Sequence, residues 1–301
     1  MIGLIASLTL VGVLAGPALR KVQRVSWRRL CGWAVLLLLV WCADSLMAES
    51  DPVLRMIGIC CVLLGGMKGL VYAEWAGDRP LALGRYLLFA FCWFGMDPSA
   101  FQKRRTGLSW KADITVGLTL MLVGTLLGWL VWVSGWRQLL VMFLPMSLGF
   151  HFGALRVLKG VLRLSGFPVR TLFPNLLEAR GVGDFWSRKW NVGYSQMMQR
   201  VVGRPITAVA GSNSGLMVVF LVSGLLHELA ITLPVRSGFG LPTLFFVVHG
   251  LLVLAEKHWK IPMGRVPALL LVGLPLGLLF PEDFRDQIIV RCLSVFEYLP
   301  G

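Results

Sequence analysis

The stretch LALGRYLLFAFCWFGM, residues 81–96, decides how many times this chain crosses a membrane. It is apolar enough to enter lipid, but it is shorter than the roughly 20 residues a spanning helix needs, and it carries Arg85. Eight longer apolar runs flank it, at about 1–18, 31–48, 53–72, 113–134, 137–158, 213–233, 241–256 and 266–281. The charges between the runs set their orientation. Arg20, Lys21, Arg24, Arg28 and Arg29 separate the first two, which places that loop in the cytoplasm by the positive-inside bias. Asp44, Glu49 and Asp51 then lie outside. Were 81–96 to cross, Lys103-Arg104-Arg105 and the basic 156–212 segment would both face outward. If it does not, 73–112, 156–212 and 257–265 are all inside, and Glu282, Asp283 and Asp286 are outside. The second arrangement has no conflict. The sequence therefore predicts an all-α polytopic membrane protein with about eight transmembrane helices, both termini outside, and 81–96 as a re-entrant or interfacial piece.

The composition agrees. Hydrophobic residues are 56% of the 301, charged residues 15%, and the mean hydropathy is +0.75. A soluble domain cannot bury that much apolar surface. The 29 basic and 15 acidic residues give a formal charge of +14. These cations sit in short loops between apolar runs, where they orient helices, so no nucleic-acid partner is expected. The six cysteines form no C-x-x-C pair and read as small core residues, neither a metal site nor a disulfide frame. Residues 1–16 lack a basic leading region, so they read as a first transmembrane helix and not a cleaved signal.

The longest interruption, 159–212, contains D-F-W-S-R-K-W-N at 184–191. Asp184 can cap a helix there, and no proline follows until Pro205. Helical spacing would align Trp186, Trp190, Gly193 and Met197 on one stripe, and Asp184, Ser187, Arg188, Asn191 and Ser195 on another. An amphipathic interfacial helix is expected.

Polar groups inside a bilayer are costly unless paired or used. The run 213–233 contains S-G-L-L-H-E, with Ser223, Gly224, His227 and Glu228. His227 falls near its middle. Ser223 and Gly224 share its helical face, which should leave one side of the imidazole small and open, while Glu228 points about 100° away. Neutral imidazole suits removal of a hydroxyl proton, so His227 is a candidate general base. The alternative is a histidine hydrogen-bonded within a helix bundle. His151 and His249 are expected to be packing residues, and His258 an interfacial one. Familiar catalytic signatures are missing. No H-x-x-x-D follows any histidine; H-E-L-A-I lacks the second histidine of a zinc site; G-S-N-S-G at 211–215 has Asn213 where a nucleophilic serine would stand.

D-F-W-S-R-K-W-N, with His227 following Asn191 by 36 residues in S-G-L-L-H-E, resembles the membrane-bound O-acyltransferase (MBOAT) family. The tail H-E-L-A-I-T-L-P-V-R-S-G-F-G-L-P-T resembles its wax-synthase branch. The likeness runs from about Gly149 to Glu256; before that only the multi-helix pattern agrees, and many relatives have more helices. The resemblance implies one membrane-embedded acyltransferase domain, with 1–148 as N-terminal helices, 149–256 as its core and 257–301 as a C-terminal helix and tail. It implies His227 as the catalytic histidine and Asn191 as the second active-site residue. A fatty acyl group would pass from acyl-CoA to an alcohol hydroxyl, with acyl-CoA as co-substrate, no other cofactor and no metal. Trp190, Ser223, Arg188 and Lys189 are the expected substrate-binding residues, with Trp190 and Trp186 also read as interface anchors. Arg180 and Arg200 offer further charge for the CoA phosphates. Expected partners are acyl-CoA, a hydroxyl-bearing acceptor and membrane lipids, and the expected setting is a multi-pass protein of a bacterial inner membrane. Acylation of a sugar or glycolipid, a transporter and a non-catalytic scaffold remain open.

Overall fold

The computed structural model describes residues 1–77, 79–260 and 263–298, so residues 261–262 of the basic 257–265 loop lie outside it. Helices hold 77% of the chain and no strand forms among the described residues, as expected for an all-α membrane protein. The main helices are α1 (Ile2–Leu19), α2 (Val25–Leu46), α3 (Pro52–Ala73), α4 (Leu83–Phe91), α5 (Lys111–Val133), α6 (Leu139–Ser147), α7 (Leu155–Leu164), α8 (Val192–Met198), α9 (Arg204–His227), α10 (Leu241–Trp259) and α11 (Arg265–Gly273). A π-helical segment, Leu148–Ala154, joins α6 to α7, and another, Gln199–Gly203, joins α8 to α9. Among the described residues, seven stretches are long and apolar enough to cross a membrane: α1, α2, α3, α5, Leu139–Leu164, Val192–Val235 and α10.

Three expectations change. The run at 266–281 is not one straight span: α11 and Leu276–Leu279 are followed by a bend of 81° into Glu282–Glu297. Pro275 and Pro281 stand at the two breaks, where proline can neither donate its backbone hydrogen bond nor avoid the preceding turn. This pair is the eighth candidate span. The run at 213–233 is the second half of Val192–Val235, bent at Gly211 with φ 82° and ψ 167°. Glycine is the residue that tolerates such an angle. Without that bend, 44 residues would extend about 66 Å, twice a hydrocarbon core. Finally, the long interruption ends in helix from Val192, well before residue 212.

The described residues form two compact units: Met1–Gln102 with Gly193–Leu254, and Lys103–Val192 with the residues from Ala255 onward. In the first, α1 and α3 meet through glycines. A Cβ on Gly12 or Gly16 would press on the backbone of Gly65, Gly66 or Gly69, and one on Gly69 would collide with the Gly12 carbonyl. Small residues four apart let helix backbones approach closely, which drives association where lipid and side chain are equally apolar. The nine-residue α4 is about 14 Å long, too short to span. It is fastened to its neighbours by polar groups. Tyr86 donates to the Val13 carbonyl, Arg85 to that of Gln102, and the fully buried Lys68 Nζ donates to the carbonyls of Phe89 (2.9 Å) and Gly95 (2.6 Å). In the second unit α5 packs on α6 and α7 by the same device, at Gly117, Gly124, Gly153 and Gly160. Asp113, buried on α5, accepts from Lys159 Nζ at 2.8 Å and Arg163 Nη1 at 3.3 Å on α7.

Candidate active site

The first unit carries His227, the last residue of α9 before a π-helical segment, Glu228–Thr232. Its Nδ1 lies 2.7 Å from the Ser223 carbonyl. A carbonyl oxygen only accepts, so Nδ1 carries the proton and Nε2 is left as the basic nitrogen of the neutral ring; the assignment follows from the hydrogen bond. Phe246 of α10 packs on the imidazole with ring centroids 4.4 Å apart, and Tyr194 of α8 meets it edge-on at 6.0 Å. Ser223 is buried one turn back. Gly224 departs from expectation. A Cβ there would meet the Thr243 backbone, so its small surface admits α10 and is not open beside the imidazole.

Glu228 is occupied elsewhere, as its angle on the helix predicts. Oε1 accepts from the Gly240 N–H (3.0 Å), the Thr243 N–H (2.9 Å) and the Thr243 hydroxyl (2.8 Å); Oε2 accepts from Thr232 (2.6 Å). The carboxylate thereby satisfies otherwise unpaired N–H groups at the start of α10, where negative charge is also favoured. His249 makes the same back-bond as His227, Nδ1 to Phe245 O at 2.7 Å, but has no exposed surface.

The second unit carries Asn191. The helix expected from Asp184 onward does not form. A short turn, Val182–Asp184, runs into a π-helical segment, Phe185–Lys189, and ends with the Trp190 N–H on the Phe185 carbonyl at 2.9 Å. Asn191 then takes a left-handed φ of 39°, and the Val192 N–H crosses to the Leu172 carbonyl at 2.9 Å. Asparagine is among the few side chains that accept this angle cheaply. The two expected stripes are therefore split at residue 191.

Asp184 is not the helix cap either. It accepts from the Arg180 N–H (3.0 Å) and from Arg188 Nε (2.6 Å), while Glu256 takes the Gly183 N–H at 2.9 Å. Partial burial opposes ionisation of Asp184, but these two hydrogen bonds outweigh it and hold the carboxyl below its ordinary range. Trp190 is packed, with Phe173 at 4.9 Å, Phe185 stacked at 5.8 Å and His151 at 5.4 Å. Arg188 extends into the open with its side chain 75% exposed, and Lys189 sits 3.7 Å from Glu178. His151 sits beside Trp190, bonded through Nδ1 to Ser147 Oγ at 3.1 Å on the π-helical segment between α6 and α7. The sequence signal was a histidine between two phenylalanines and two glycines, G-F-H-F-G, whose neighbours only the fold reveals.

Fold and site define the class: a multi-pass, all-helical membrane protein with a tautomerically fixed histidine inside an apolar helix. Residues 169–248 match the membrane bound O-acyl transferase family, a segment that contains Arg188, Lys189, Trp190, Asn191, Ser223 and His227. That segment is similar to the membrane-bound O-acyltransferases, in agreement with the resemblance of its two motifs. Two Arabidopsis thaliana proteins, named as probable long-chain-alcohol O-fatty-acyltransferases 1 and 2, are 31% and 26% identical to it over 160 and 157 residues. Each alignment covers 44% of this chain and 46% of the relative, so the chain is matched over about half the length of these relatives. Because the relatives are from a plant, they lend no support to the expected bacterial inner membrane.

Proposed function

We propose that this chain transfers a fatty acyl group from acyl-CoA to the hydroxyl of a long-chain alcohol. The observation that carries the reading is the Ser223 carbonyl holding His227 Nδ1–H, which turns the ring into a one-sided base in an apolar helix. The alcohol oxygen attacks the thioester carbonyl as its proton passes to Nε2 of His227. The tetrahedral intermediate collapses with cleavage of the C–S bond, and the imidazolium returns the proton to the departing thiolate. Ester and free CoA thiol result. Asn191 donates its amide hydrogen to the carbonyl oxygen as negative charge develops, a contribution of roughly 3–4 kcal/mol for one such donor. Arg188 and Lys189, with Arg180, supply positive charge for the CoA phosphates, and Trp190 with Ser223 contributes to substrate binding. The plant relatives, named as probable long-chain-alcohol O-fatty-acyltransferases, support the acceptor class.

The test is purified protein with a panel of acyl-CoAs and acceptors, following thiol release and ester product together. Equal release of thiol and ester with long-chain alcohols supports the reading. Ester formation on a sugar or glycolipid only would move the acceptor, and neither product would remove the enzyme assignment.

A further inference from the structure

Away from His227, the first unit contains a cavity of about 390 Å³ lined by Arg29, Glu74, Trp75, Ala76, Gly77, Arg200 and Arg204. Three guanidinium groups face one carboxylate. Glu74 Oε2 is bound by Arg29, at 2.9 Å from Nε and 2.8 Å from Nη2, so that pair is neutral together. Glu74 is the one carboxylate among the lining residues, and its ion pair is with Arg29, not with Arg200 or Arg204. Arg200 Nη1 is buried with no hydrogen-bond acceptor among the described residues. Guanidinium keeps its charge at any accessible pH, so an acceptor is wanted there.

Two nearby cations donate to backbone carbonyls, with only Arg20 Nη1 of their donors buried without an acceptor among the described residues. Arg28 donates to the carbonyls of Ala73 (2.9 Å) and Val22 (3.1 Å). Arg20 donates to the Gly77 carbonyl and lies 5.0 Å over the Trp75 ring, fixing that wall of the cavity. The cavity also sits where α2 begins and α3 ends, beside the basic loop 20–24. Helices of that length and apolarity end at the headgroup level, where phosphate is concentrated.

We propose that this cavity binds a phosphate group, held between Arg200 and Arg204, with Arg29 and Glu74 as a neutral flank. Only Arg200 was expected from sequence to meet a phosphate; the structure adds Arg29, Arg204 and a walled cavity around them. A multi-oxygen anion fits because planar guanidinium forks bind phosphate oxygens in pairs. The phosphate could arrive on a membrane lipid or on a water-soluble compound. The inference does not rest on acyl transfer, since binding is read without any acyl donor.

The experiment uses the full chain in nanodiscs of zwitterionic phosphatidylcholine, with unfolding followed by intrinsic fluorescence. Inorganic pyrophosphate is titrated in one arm, and phosphatidylglycerol replaces part of the lipid in the other. Stabilisation by pyrophosphate alone assigns a soluble phosphate; stabilisation by phosphatidylglycerol alone assigns a lipid headgroup; either supports the site. Arg200→Gln and Arg204→Gln should each weaken the effective response at least fivefold, whereas Arg24→Gln on the same basic loop should leave it unchanged. Arg204 is exposed, so Arg204→Gln carries the test even if Arg200→Gln fails to fold. No response to either probe, an unaltered response in Arg204→Gln, or an equal loss in Arg24→Gln overturns the proposal.

Discussion

His227 bonds to a carbonyl four residues back, and that contact fixes which ring nitrogen is left to accept a proton. With Nδ1 committed, only Nε2 can take a proton, so under the proposed mechanism the neutral ring is the form that serves as base. Replacing His227 by alanine should lower ester formation by about 10²–10⁴-fold, the usual worth of a positioned base. Acid should act in the same direction, since each protonated imidazole is a lost acceptor; wild-type turnover should fall as the pH drops and recover on return. A His227→Ala protein that keeps more than about a third of wild-type turnover would exclude the base role, because base assistance is worth far more than that. Asn191 needs a finer test because its backbone is left-handed. Asn191→Gly keeps the angle and removes the amide, whereas Asn191→Ala disturbs both. If the amide serves the reacting carbonyl, both variants lose at least about tenfold in kcat. Near-normal kcat in Asn191→Gly would reduce Asn191 to a turn residue. The sequence motifs singled out His227 and Asn191 as candidates. The tautomer and the positive φ were not legible there, since both depend on backbone atoms that no spacing rule specifies.

At the level of elements, apolar length located seven of the spans, and proline and glycine decided where it failed. Run length cannot distinguish a straight helix from one bent at Pro275 and Pro281 or at Gly211, because the residues between the bends are equally apolar. D-F-W-S-R-K-W-N misled for another reason. Its helical pattern is locally sound, but the Val192 N–H is satisfied by Leu172, twenty positions earlier, and a distant acceptor leaves no trace in periodicity. The α1–α3 contact gives a clear test. Gly12, Gly16, Gly65 and Gly69 leave no room for a Cβ without moving backbone. Gly69→Leu should destabilise the protein by at least the ~1–3 kcal/mol typical of overpacking, visible as a lower unfolding midpoint in detergent. Gly3→Leu, where a side chain would meet nothing within 4 Å, should leave the midpoint unchanged. Equal midpoints for the two variants would mean that the glycine contact does not hold these helices together.

For the molecule as a whole, the number of crossings turns on α4 and its surroundings. Charge bias predicts that residues 73–112 stay on one side, and the short, fastened α4 is compatible with that. The nine-residue α4 is too short to traverse the bilayer and is tied back to α3 by Lys68, whose Nζ reaches the Phe89 and Gly95 carbonyls and lies 4.0 Å from the centroid of the Phe89 ring. Lys68 lay unread inside an apolar run, because its acceptors are backbone carbonyls and no acidic partner marks it in the sequence. Ala76 and Ser99 flank α4 and are both exposed, so each can be replaced by cysteine in a cysteine-free background. If the segment enters and returns, a membrane-impermeant maleimide added from the cytoplasmic side should label both, and added from the opposite face should label neither. Lys68→Met leaves two buried carbonyls without a donor, a cost of about 1–3 kcal/mol each, so it should loosen this piece. Position 99 should then react several-fold faster with the same reagent, still from the cytoplasmic side. Labelling of residues 76 and 99 from opposite faces would show that the segment crosses, and the orientation of every later span would have to be inverted.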